Sequence, residues 1–192
     1  MQNLIAHAAT SQLVIVDMQS KLATAMAADA MQAAVKNCGI LAQAANLLGV
    51  AIIATEQYPQ GLGATLPEIS QHFANKKPIA KTAFSACVEP KFKQQLQRDK
   101  SQIVLTGMEA HICVLQTALD LLQLTISGDN KLSKQVFVVE DAIISRSETN
   151  KANALVRLRD AGCVITNTES VLFEWLGDAN HEAFKALSKL IR

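Results

Sequence analysis

Five runs of apolar, largely β-branched residues punctuate the chain, at 13–17, 50–55, 102–106, 136–140 and 163–166, with a shorter one at 78–81. They are nearly continuous in apolarity rather than alternating, which marks strands covered on both faces, as in a parallel sheet. Between the first two, Ala30, Met31, Ala34, Val35, Cys38, Leu41, Ala42, Ala45 and Leu48 recur at helical spacing, and Gly49 follows as a stop signal. Residues 114–122 read as a second helix. A third starts behind Ser147, which suits an N-cap, although Asn150 stands where a full capping box has Glu or Gln. It carries Ala152, Leu155, Val156 and Leu158 inward and stops at Ala161-Gly162. Such strand–helix alternation predicts an α/β fold with helices on both faces of a parallel sheet.

Two segments read as long loops. Residues 56–67 contain Pro59, Gly61, Gly63 and Pro67 and follow the carboxyl end of a strand, where function concentrates. Residues 127–135, with Gly128, Asp129 and Asn130, lead into a strand and read as a solvated insertion. The tail from 170 to 192 carries Leu172, Phe173, Trp175, Leu176, Phe184, Leu187, Leu190 and Ile191. That is more apolar surface than a terminal helix usually needs, and it points to a subunit interface and a homo-oligomer.

Composition narrows the field. A chain of 192 residues is most simply one domain, 1–192, with a substantial core. Its net charge of +1 gives no reason to expect nucleic acid or a membrane surface, and 4% aromatic content argues against base-stacking platforms. Cys38, Cys87, Cys113 and Cys163 contain no C-x-x-C pair and read as reduced thiols. The first residues lack the basic-then-apolar order of a secretory leader, and no apolar run approaches a span of ~18 residues. A cytoplasmic location is expected.

Candidate chemistry lies at strand ends. Cys113 falls where the 102–106 strand turns into the next helix, at a carboxyl edge where open α/β sheets bind ligands. A helix N-terminus also favours thiolate. Position alone leaves a buried apolar filler and a nucleophile equally open. Asp17 ends the first strand and Lys81 the short one. Taken singly, the first reads as a cap and the second as a solvated lysine. Together with Cys113 they make an acid, a cation and a thiol at one edge, which is what covalent acyl chemistry needs. A carboxylate takes and returns the proton, an ammonium favours the anions, and backbone N–H groups hold an oxyanion.

At this point the sequence resembles the isochorismatase-like cysteine hydrolases, a superfamily that includes nicotinamidases. The matching motifs are Asp17-Met18-Gln19, Lys81-Thr82-Ala83-Phe84-Ser85 and Gly107-x-Glu109-x-x-x-Cys113-Val114. Three further stretches resemble the isochorismatase-domain-containing branch: 55–63, 141–147, and Glu169-Ser170-x-Leu172-Phe173. The resemblance implies a catalytic triad of Asp17, Lys81 and Cys113. It also implies a cis peptide between Met108 and Glu109, and oxyanion donors in the backbone N–H groups of Glu109 and Cys113. The expected architecture is a three-layer α/β/α sandwich with strand order 3-2-1-4-5-6.

Two departures refine the expectation. Metal-dependent nicotinamidases carry a histidine cluster after the second strand, whereas 56–63 contains no histidine. His7 and His181 read as exposed, His72 as a residue on a helix face, and His111 as either pocket-lining or solvated. No metal and no cofactor are therefore expected. Isochorismatase itself does not use a cysteine at this place, so Cys113 favours amides or esters over a vinyl ether. Gln19, Gln57, Tyr58, Phe84, His111 and Ile112 are the expected lining of a pocket for a compact, partly apolar molecule. The expected function is metal-independent hydrolysis of a C–N amide through a thioester. The alternatives are a non-hydrolytic small-molecule binder and a redox-sensing thiol protein.

Overall fold

The computed structural model describes residues 4–73, 77–124 and 134–191. Six strands, β1 Ser11–Val16, β2 Ala51–Gln57, β3 Ile79–Lys81, β4 Gln102–Met108, β5 Gln135–Ile144 and β6 Val164–Thr166, form one sheet. Its order is β3-β2-β1-β4-β5-β6 and every ladder is parallel. The helices are α1 Ser20–Ala23, α2 Ala28–Leu47, α3 Pro59–Leu62, α4 Pro67–Ser70, α5 Pro90–Gln95, α6 Leu115–Gln123, α7 Glu148–Asp160, α8 Thr168–Leu176 and α9 Phe184–Leu187.

Each unbroken apolar run serves two faces, because successive side chains of a strand point oppositely. Leu13 and Ile15 of β1 join Ile52, Val104, Phe137 and Val139 under α2 and α8. Val14 and Val16 join Ile53, Ile103, Leu105, Val136 and Val138 under α5, α6 and α7. The expected three-layer sandwich and strand order are what the sheet shows.

Local signals act as chemistry requires. Gly49, with φ of 69°, takes the left-handed turn that ends α2. Ser147 caps α7, its Oγ accepting from Asn150 N at 3.4 Å. Among the differences, β5 runs on to Ile144, past the polar pair Glu140-Asp141 at which the sequence pattern stops. Asp141 repays this by accepting from Thr168 N at 2.8 Å and Thr168 Oγ1 at 2.9 Å, fixing the start of α8. The tail is not the open apolar surface expected of it. Val171, Leu172, Trp175 and Leu176 are buried against α2 and the sheet, and Trp175 Nε1 donates to Ser11 Oγ at 3.2 Å. Phe173 does stay 41% exposed, beside Phe184. The expected insertion at 127–135 lies, up to residue 133, outside the described residues. Among those described, no helix is long and apolar enough to cross a membrane.

Candidate active site

Strand order reverses at β1, which pairs with β2 on one side and β4 on the other. The crevice beyond their carboxyl ends is the switch point where doubly wound sheets bind ligands. Register sets what meets there. Val16 lies level with both Thr55 and Gly107, and Gln57 lies level with Lys81.

Asp17 leaves β1 in the left-handed region, at φ of 51°, and its N–H still donates to Thr55 O at 3.1 Å. Its carboxylate is fully buried. Oδ1 accepts from Thr55 Oγ1 at 2.7 Å. Oδ2 lies 2.7 Å from Lys81 Nζ as an ion pair. Lys81 Nζ also donates to Gln57 Oε1 at 2.6 Å, Phe84 O at 3.0 Å and Ala83 O at 3.2 Å. Four oxygens therefore surround one buried ammonium.

The thiol arrives from β4. Gly107 has φ of 121°, and a Cβ there would overlap the carbonyl oxygen of Val16, so only glycine lets β4 lie this close to β1. The Met108–Glu109 peptide is cis. Residues Ala110–Val114 then form a π-helical turn that runs into α6 and carries Cys113. Glu109 O holds the turn by accepting from Ile112 N at 3.0 Å and Val114 N at 3.2 Å. Burial pushes the Cys113 thiol up to about 12; the Asp17 carboxylate adds to the rise, and the Lys81 ammonium opposes it. This corrects the expectation of a thiolate favoured at a helix terminus. Desolvation is the largest of these effects, so the fold favours the thiol over the thiolate.

The other expected site residues fall into two groups. Tyr58 and Phe84 stand in solvent, 55% and 54% exposed, and Ile112 is half-buried. Tyr58 is itself left-handed, and its ring covers Gly61, where a Cβ would run into it. A hollow of ≈ 300 Å³ adjoins Lys81, lined by Tyr58, Pro59, Gln60, Ala80, Thr82 and Glu89. A larger one of ≈ 740 Å³, between α1, α2 and Leu66, contains none of the expected site residues. By contrast, the side chain of Gln19 is not pocket lining. It is buried and its amide is occupied: Nε2 donates to Gln57 O at 3.0 Å and Gly63 O at 2.6 Å, and Oε1 accepts from Gln57 N at 2.7 Å. Gln57 is likewise engaged, its Nε2 donating to Thr82 O at 2.7 Å. These two glutamines set the loop after β2.

His111 meets Ser145 Oγ at 3.0 Å through Nδ1 and Asn150 Nδ2 at 3.4 Å through Nε2. His72 lies in the turn after α4 rather than on a helix face, and His181 is half-buried, accepting from Ala183 N through Nδ1. Among the described residues, no three His, Cys, Asp or Glu side chains gather as a metal site. Two partners escaped the sequence reading. Thr55 binds Asp17, and only strand register could have revealed that. Arg146 binds Glu109 across 37 positions, a pairing no local pattern announces.

Comparison with known proteins gives the same framework. An isochorismatase domain matches residues 11–170. Isochorismatase domain-containing protein 2 of Bos taurus is 38% identical over 185 residues, spanning 95% of this chain and 83% of the relative. The MAR1 ribonuclease of Caenorhabditis elegans superposes with a TM-score of 0.86 at 34% identity, over 97% of this chain and 92% of that one. The YcaC gene product of Escherichia coli, described as an octameric hydrolase of unknown specificity, shares the fold at a TM-score of 0.85 and 22% identity, over 100% and 91% of the two chains. With the motif order, the sheet topology and the domain match in agreement, the chain belongs to the isochorismatase family.

Proposed function

We propose that this chain is a cysteine hydrolase that cleaves a C–N amide bond in a small molecule without a metal ion. The supporting observation is the buried Asp17–Lys81 pair, whose two charges act in opposite directions on the Cys113 thiol. In this reading the thiolate is made during the reaction rather than stored. Asp17, paired with Lys81 and in hydrogen-bond contact with the thiol, takes the thiol proton as Sγ attacks the carbonyl carbon. The backbone N–H groups of Glu109 and Cys113 receive the oxyanion. Asp17 then gives the proton to the leaving nitrogen, and a thioester remains on Cys113. Water, deprotonated by Asp17, releases the acid and regenerates the thiol. Lys81 supplies a fixed positive field. Tyr58, Phe84, His111 and Ile112 border the substrate.

We further propose that the protein is a homo-oligomer in the cytoplasm. Exposed Phe173 and Val88 offer apolar surface, and four free cysteines suit a reducing compartment. The deciding experiment is a panel of small amides, esters and an RNA oligonucleotide, run against wild type and Cys113→Ala. Amide turnover should fall by ~10³-fold or more in the variant, with a thioester adduct trapped on Cys113 of wild type. RNA cleavage that survives Cys113→Ala would overturn the reading.

A further inference from the structure

Glu109 sits at the root of the turn that carries Cys113, and its carbonyl holds that turn through two N–H groups. The residue is only 3% exposed, so its carboxylate needs a partner. It has one. Arg146 N donates to Oε2 at 2.9 Å, Nε to Oε1 and Oε2 at 3.0 and 3.1 Å, and Nη2 to Oε1 at 2.5 Å. Burial alone would raise the Glu109 carboxyl, but the hydrogen bonds and charge of Arg146 hold it below its usual range. A second tie runs beside the first. His111, two residues before Cys113, bonds Ser145 and Asn150 on the same neighbouring segment. Two side chains of the cysteine turn are thus fastened to residues 145–150, one on each side of Ala110.

We infer that Arg146 is a positioning residue for the chemistry of Cys113, clamping Glu109 so that the turn presents the sulfur and its neighbouring backbone N–H groups in one fixed arrangement. This rests on reading Cys113 as the nucleophile. Two physical effects follow from losing the clamp. A four-bond fork fixes the orientation of Glu109, and a misplacement of about 1 Å near a reacting centre costs on the order of 10²-fold. An unpaired Glu109 charge, four residues before Cys113 at the cap of its turn, also opposes thiolate formation at longer range. The Arg146 side chain is 56% exposed, so it contributes little to the core.

The test measures the rate of Cys113 alkylation by iodoacetamide at one fixed pH below about 9, where the fold is intact, mapped by peptide mass, for wild type, Arg146→Ala, Arg146→Lys and Arg146→Ala/Glu109→Gln. In Arg146→Ala alkylation should slow several-fold, with Arg146→Lys intermediate. The double variant should return toward wild type because the bare charge is gone. With any amide that wild type turns over, Arg146→Ala should lower kcat by ~10–100-fold and leave KM within about twofold, while the double variant stays slow. An alkylation rate in Arg146→Ala equal to wild type overturns the inference, as does a loss of turnover that merely follows a fall in melting temperature. The alkylation measurement needs no substrate, so an inert wild type would count against amide hydrolysis and leave the positioning role to be decided on the thiol alone.

Discussion

Lys81 has three hydrogens to give and four oxygens around it, so it has nothing left to donate to a substrate. Its value lies in staying charged beside Asp17. Removing one member of a buried pair leaves the other uncompensated, which typically costs ~3–5 kcal/mol. Lys81→Met should show that loss in denaturant unfolding. Lys81→Met/Asp17→Asn should recover most of it and still be inactive, because no base remains. A single variant as stable as wild type would mean that water replaces the ammonium. At this scale the sequence was readable where placement follows from strand ends, as for Asp17, Lys81 and Cys113. It was unreadable where a partner is chosen by register or by a distant loop, as for Thr55 and Arg146. Gln19 misled for a related reason: a polar residue beside a catalytic motif can face the loop it organises as easily as the crevice.

Among the elements, β4 is the one whose path is most tightly constrained. It lies between β1 and β5, and its register with β5 shifts between Leu105 and Gly107. At Gly107 it meets β1 so closely that no side chain fits, in a backbone conformation L-residues rarely adopt. Gly107→Ala combines overlap with Val16 and an unfavourable φ, and should destabilise by more than the ~1 kcal/mol of an average substitution. Thermal melting checks this, and a melting temperature unchanged from wild type would show that β1 and β4 can separate. Strands were legible because parallel pairing buries both faces and leaves long apolar runs. Their ends were less so. Asp141 breaks the apolar run of β5 because its carboxylate serves α8, not because the strand stops. The four-residue helices α1, α3 and α4 span about one turn each, too short for a 3.6-residue period to register.

Taken as a whole, the molecule buries four thiols, Cys38, Cys87, Cys113 and Cys163, and burial pushes each up to about 12 from an ordinary value near 9. In the unfolded chain they ionise near 9; in the folded chain they remain protonated. The unfolded state therefore loses protons first as pH rises, and linkage makes folding weaker over that interval. Stability should be intact below about pH 9 and fall progressively towards about 12. Cys38→Ala isolates one contribution: its unfolding free energy should decline less steeply than wild type in that window, although the Cys38 Sγ bond to Ala142 O is lost. Equal slopes would remove Cys38 from the account. The two ion pairs of the site differ in another way. Dissolved ions screen charge over a Debye length of about 8 Å at physiological salt, but far less for charges sealed from water. The side chains of Asp17 and Lys81 are both 0% exposed, whereas the Arg146 guanidinium reaches solvent. The field felt by the sulfur is thus a constant of the fold, indifferent to the ionic strength around it, while the clamp that steadies its turn remains open to the surrounding electrolyte.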